Sequence, residues 1–149
     1  MKARILFVGM LFCFGSVVSQ RRASPVCVLD ATKQNWISGA PGGRSGTNYR
    51  IKVHINTSRS IEFLYLWIGK ENVPLSLEFY NLDGQKQLAL GDSLLLFSSK
   101  VVGEEFPMFE HRKLPVRYKG AALFQCVVDR KNRYFIVKEL RQLPPLAGQ

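Results

Sequence analysis

The stretch "GAPGGRSGTNY", residues 39–49, gathers four glycines, an arginine and the hydroxyls of Ser45 and Thr47. Such a composition suits a loop that wraps a phosphate with backbone amides. A nucleotide-binding glycine loop follows the pattern G-x-x-x-x-G-K-[ST] between a strand and a helix, whose N-terminus helps to hold the anion. Counted from Gly39, the second glycine is replaced by Arg44, and the stretch contains no lysine. From Tyr49 onward the residues "YRIKVHI" alternate as a strand. The stretch is therefore expected to bind no nucleotide and to form a long flexible connection, with a type II turn at Pro41–Gly42. Loops held on a rigid scaffold often carry binding, so a contact surface is still compatible with it.

Other chemistry is sparse. Nucleophilic catalysis needs a base beside a serine, cysteine or threonine, and the chain has two histidines. His54 lies among the basic residues of a strand, where an imidazole accepts a proton poorly. His111 follows Glu110 in an acidic stretch and is the better base. A small secreted hydrolase using His111 with the loop carboxylates Glu104, Glu105 and Glu110 is thus the alternative reading of function. No nucleophile-elbow pattern surrounds any serine. The spacing of these glutamates, Asp30 and Asp92 selects no pair for glycoside hydrolysis, and no metal-ligand spacing is present. Neither a cofactor nor a metal is expected. "NTS" at Asn56 matches a glycosylation acceptor on a turn, relevant only in a host that glycosylates exported proteins.

The residues around these groups indicate where the chain resides. Lys2 and Arg4 precede an apolar run from Ile5 to Phe14, followed by the small residues Gly15, Ser16 and Ser19. That order describes a secretory signal over residues 1–19, with Val17 and Ser19 at the −3 and −1 positions of a cut before Gln20. The run is about half the length of a membrane-spanning helix, and no later run is long enough, so the mature form is expected to have no transmembrane span. A secreted or periplasmic location is the consequence. Losing Lys2 and Arg4 lowers the formal charge from +10 to +8. Two cysteines remain, Cys27 and Cys126. In an oxidising compartment such a pair suggests a disulfide, the other possibility being two free thiols.

The mature chain shows alternation rather than helical periodicity. In "YRIKVHIN", Tyr49, Ile51, Val53 and Ile55 point one way and Arg50, Lys52 and His54 the other, as in a half-buried strand. "IEFLYLWI" is apolar on both faces and suits a central strand, with Trp67 expected at the centre of the core. "PLSLEFYN", "SLLLFSS", "PVRYKG", "AALFQCVV" and "RYFIVKEL" read as further strands. "DRKN" turns the last pair, with Asn132 as its left-handed residue. Residues 102–114 read as a long irregular connection. About seven short strands predict an all-β, single-domain antiparallel β-sandwich over residues 20–143, immunoglobulin-like by analogy only, with a small β-barrel as alternative. The tail 144–149 is expected to fray.

These elements leave one binding hypothesis. Arg50 and Lys52 project from one strand and Arg117 and Lys119 from another; if the four share a face, they suit an anionic partner. The expected function is a non-catalytic binding or structural module of the cell envelope. Its partner would be an anionic polysaccharide, a lipid surface or another envelope protein.

Overall fold

The structure, a computed structural model, describes residues 23–79, 88–104 and 112–148. Residues 1–19, where a secretory signal is expected, lie outside these residues, as do Glu105, Glu110 and His111. Among the described residues there are nine strands and no helix: β1 Val26–Ile37, β2 Ser45–Ile55, β3 Ile61–Ile68, β4 Glu71–Val73, β5 Ser76–Phe79, β6 Ser93–Val101, β7 Ala122–Val128, β8 Lys131–Val137 and β9 Arg141–Ala147. They form a five-stranded sheet, β5-β6-β2-β1-β9, and a four-stranded sheet, β4-β3-β7-β8. Neither sheet closes on itself, which removes the barrel alternative. Consecutive strand pairs alternate between the sheets, so the chain crosses from layer to layer after each pair.

The sheets share one core because alternation brings their apolar faces together. Ile51, Val53 and Ile55 from β2 and Leu94 and Leu96 from β6 are fully buried. They belong to the same cluster as Phe63 and Leu66 of β3 and Phe124 and Cys126 of β7. Each large side chain in it contributes about 1.5–3 kcal/mol by leaving water. The two-layer arrangement is that of a β-sandwich.

Trp67 does not occupy that core. A register shift between Phe63 and Tyr65 resets the alternation of β3. Leu66 then points inward, and Trp67 points to the outer side of the sheet beside Leu123. It is nevertheless 1 % exposed, because the segment 112–120 lies across it. The indole N–H of Trp67 donates to the carbonyl of Arg112 at 3.3 Å. The Asn72 side chain accepts from the Arg112 N–H, also at 3.3 Å, and the Tyr118 hydroxyl donates to the Gly69 carbonyl at 2.6 Å. The Arg112 guanidinium stands 4.4 Å from the centre of the Tyr65 ring. "PVRYKG" is therefore not a strand but part of this covering segment. Pro115 has no N–H for a ladder, and Tyr118 anchors the segment to the turn after β3.

Two further expectations change. The tail is a strand as far as Ala147: β9 pairs in parallel with β1, Thr32 opposite Arg141 and Ile37 opposite Ala147, so the sheet is not wholly antiparallel. Pro144 and Pro145 are tolerated because β9 is an edge strand. The β7–β8 hairpin turns on Asp129 and Arg130, both with positive φ (50° and 63°). Asn132 instead stands within β8, opposite Val127.

Candidate functional site

The glycine-rich stretch is a compact hairpin connection rather than a long flexible one. The Gly43 N–H donates to the Ala40 carbonyl at 2.8 Å, and the Ser38 N–H to the Arg44 carbonyl at 2.8 Å. Pro41 and Gly42, the latter at φ 69°, occupy the middle of the turn as a type II turn requires. Gly46 lies in β2, where a Cβ would meet the Trp36 ring and the Lys100 carbonyl. These amides serve the loop itself, and β2 succeeds it where a phosphate site would need a helix.

The four cations read as one face are divided. Arg50 and Lys52 stand on the outer side of the five-stranded sheet. Lys52 lies opposite Asp30 and Leu95, and Leu95 lies opposite Glu78. Carboxylates thus share the row, and Asp30 is itself paired with Arg141 at 2.9 Å. Arg50 stands opposite Thr32 and Phe97, its guanidinium 5.8 Å from the centre of the Phe97 ring. Arg117 and Lys119 belong to the segment covering the four-stranded sheet, on the other side of the molecule. No continuous basic face unites them.

The cysteines are also apart. Cys27 is exposed on β1, next to His54 across the strand pair, whereas Cys126 is buried in β7 of the other sheet; both are free thiols. The expected bridge is absent because β1 turns Cys27 outward and β7 turns Cys126 inward. Burial pushes the Cys126 thiol up to about 12, against the opposing effect of the Arg133 guanidinium. Burial likewise raises Tyr118, its hydrogen bond to Gly69 opposing the shift.

Of the hydrolase candidates, Glu104 is engaged by Arg44 at 2.6 Å. Glu105, Glu110 and His111 lie outside the described residues. The Nδ1 of His54 is 3.3 Å from the Ser93 hydroxyl. Among the described residues no three His, Cys, Asp or Glu side chains gather as metal ligands would.

A different set of cations does converge. On β8, Lys131 is opposite Val128, Arg133 opposite Cys126 and Phe135 opposite Phe124. Directly opposed residues share a face, so Lys131 and Arg133 emerge on the side that buries Phe135 and Val137. The inner face of β8 is apolar at one end and cationic at the other. There the sheets part to form a groove of about 850 Å³, with Pro25, Asn56 and Arg59 on one side and Val128, Lys131 and Arg133 on the other. None of the described residues that line it is acidic. Among the described residues none of the three cations makes an ion pair.

Backbone bonds hold the frame of this groove. The Asn56 N–H donates to the Pro25 carbonyl at 2.9 Å, and the Asp129 N–H to the Ser60 carbonyl at 3.0 Å. The Thr57 hydroxyl accepts from the Arg59 N–H at 3.2 Å. Reading the sequence for a basic outer face missed the groove, although the signal was present. In "KNRYFIV", Lys131 and Arg133 have the parity of Phe135 and Val137, the apolar residues of the strand. An arrangement of this kind attracts an anion and supplies charge-assisted hydrogen bonds to it. Comparison of the chain with protein families, with curated proteins and with solved structures finds no match.

Proposed function

We propose that this chain is an exported, non-catalytic binding module of the cell envelope, an immunoglobulin-like sandwich that takes an anionic ligand between its sheets. The observation that carries the reading is the groove of Arg59, Lys131 and Arg133, which has no carboxylate among the described residues of its lining. Exposed cations ordinarily stand among acids, as Lys52 does beside Asp30. Three on one concave surface raise the local concentration of anions. The export half of the reading rests on the order of charge, apolar run and small residues over 1–19. No helix among the described residues is long and apolar enough to cross a membrane.

Retention on a sulfated or carboxylated matrix tests the binding half. The natural chain should be retained at low salt and released as salt rises, because exposed charges are screened beyond about 8–10 Å near physiological ionic strength. Reversing Arg59, Lys131 and Arg133 to Glu should abolish retention, while reversing Arg50 and Lys52 should leave most of it. The opposite ranking would return the site to the outer face of the five-stranded sheet. N-terminal sequencing of the exported protein tests the other half, with Gln20 expected first and Met1 refuting it.

A further inference from the structure

We infer that the ligand of this groove is a chain of acidic sugars, carboxylated or sulfated, rather than a single small anion or a nucleic acid. The inference rests on the anion-binding reading of the same site and specifies its ligand.

Spacing comes first. Lys131 and Arg133 stand two residues apart on β8, a separation of roughly 6.6 Å along a strand. Arg59 faces them from the turn between β2 and β3. A chain bearing an anionic group on successive units engages them together, each guanidinium gripping a carboxylate or sulfate through two N–H groups.

Size agrees with this. At about 850 Å³ the groove lies within the range of about 300–1,000 Å³ typical of sites for molecules of many atoms. An isolated inorganic anion would leave most of it to water. Its lining also holds the exposed amide of Asn56 and the hydroxyl of Thr57, groups that exchange hydrogen bonds with sugar hydroxyls.

The aromatic residues separate a glycan from a nucleic acid. Single-stranded nucleic acids are held by stacking bases on aromatic faces. In the groove, Phe135 already stacks on Phe124, with ring centres 5.2 Å apart and planes inclined by 16°. Tyr134, its neighbour on β8, is 37 % exposed and is the one other aromatic residue among the described residues of the lining. Beside the cations and hydrogen-bonding groups there is thus a single free ring, whereas a strand of bases requires a series of stacking faces.

The test uses the full mature chain and defined probes in titration calorimetry: oligogalacturonates of two to eight units, sulfated oligosaccharides of similar length, an uncharged galactan, a single-stranded oligonucleotide and inorganic phosphate. Affinity for one of the acidic sugar series should rise about tenfold or more from the shortest to the longest member, while the galactan shows no binding. Arg59→Ala combined with Arg133→Ala should weaken the longest member about tenfold or more, as expected for loss of hydrogen bonds to charged groups. If the oligonucleotide or phosphate binds as tightly as the best glycan, and the double variant weakens that binding, the sugar assignment falls and the anion groove stands. If the double variant changes no probe's affinity, both fall.

Discussion

Trp67 donates its indole N–H to the backbone carbonyl of Arg112, 45 residues further along the chain. This bond joins a strand to the segment that seals the outer side of the four-stranded sheet, and that side forms a second apolar layer.

Removing the indole should expose how much the layer contributes. Trp67→Ala should cost about 3–5 kcal/mol, the range for large aromatic truncations in packed sites. Trp67→Phe should cost far less, since it keeps most of the apolar volume and loses one hydrogen bond. Urea denaturation of both variants measures the difference. A loss below about 1 kcal/mol for Trp67→Ala would mean that the segment 112–120 does not seal this face.

The two thiols should behave oppositely. In protein that begins at Gln20, and so lacks Cys13, one equivalent of thiol reagent should react promptly under native conditions, at exposed Cys27, and the second only after denaturant is added. The raised pKa of Cys126 lowers stability in alkali, as does the raised pKa of Tyr118. In the unfolded chain the thiol ionises near its ordinary 9.0, and in the folded protein near about 12. Between these values the unfolded state has released the proton and the folded state has not. Stability is therefore intact below pH 9 and falls as pH rises toward 12. Cys126→Ala should flatten that part of the pH profile, whatever it costs in packing at neutral pH.

The β7–β8 turn admits improvement. Asp129 and Arg130 both hold positive φ, a conformation that Asp tolerates through local hydrogen bonding and that is unfavourable for Arg. Substituting Asp129→Asn and Arg130→Gly installs the preferred pair for a two-residue hairpin. Stability should rise by about 1 kcal/mol, read as a higher urea midpoint at constant slope. A lower midpoint would show that Asp129 or Arg130 makes a contribution other than its backbone geometry.

At the other edge, Arg141→Ala removes an ion pair with Asp30 whose side chains are 62 % and 49 % exposed. Such a pair contributes at most about 1 kcal/mol, so thermal unfolding should shift little. Ending the chain at Leu140 removes all of β9 and bares the edge of β1. That variant should aggregate, because an unpaired strand edge recruits other chains. Light scattering after mild heating distinguishes the two effects. A truncated form as stable and monodisperse as the full chain would make β9 dispensable.

Much of the fold was legible wherever one strand face is dry and the other wet. Tyr49 to Ile55 alternates without interruption, and Ile51, Val53 and Ile55 are buried as that pattern requires. Legibility failed where the parity slips. In β1 a register shift between Val28 and Asp30 leaves Leu29 55 % exposed, beside residues that look equally apolar. In β3 a similar shift moved Trp67 out of the shared core. β9 was hidden by its two prolines, which forbid a central strand and permit an edge. The site was harder still, because cations on an inner face resemble ordinary surface charge until β7 is laid beside β8. Pairing between strands is information that a local pattern lacks.

The partnership of β1 with β9 also sets a schedule. Asp30 and Arg141, joined across it, are 111 residues apart in the chain. The entropy of closing so long a loop grows only slowly with length, so the separation costs little at equilibrium and acts mainly on time. A chain emerging N-terminus first, from a ribosome or through a membrane pore, presents β1 early and β9 last. Hairpins can form along the way, but the outer edge of β1 waits for a partner until 111 further residues have followed Asp30. Completion of the larger sheet thus waits on the last of the nine described strands, whatever the order in which the hairpins before it close.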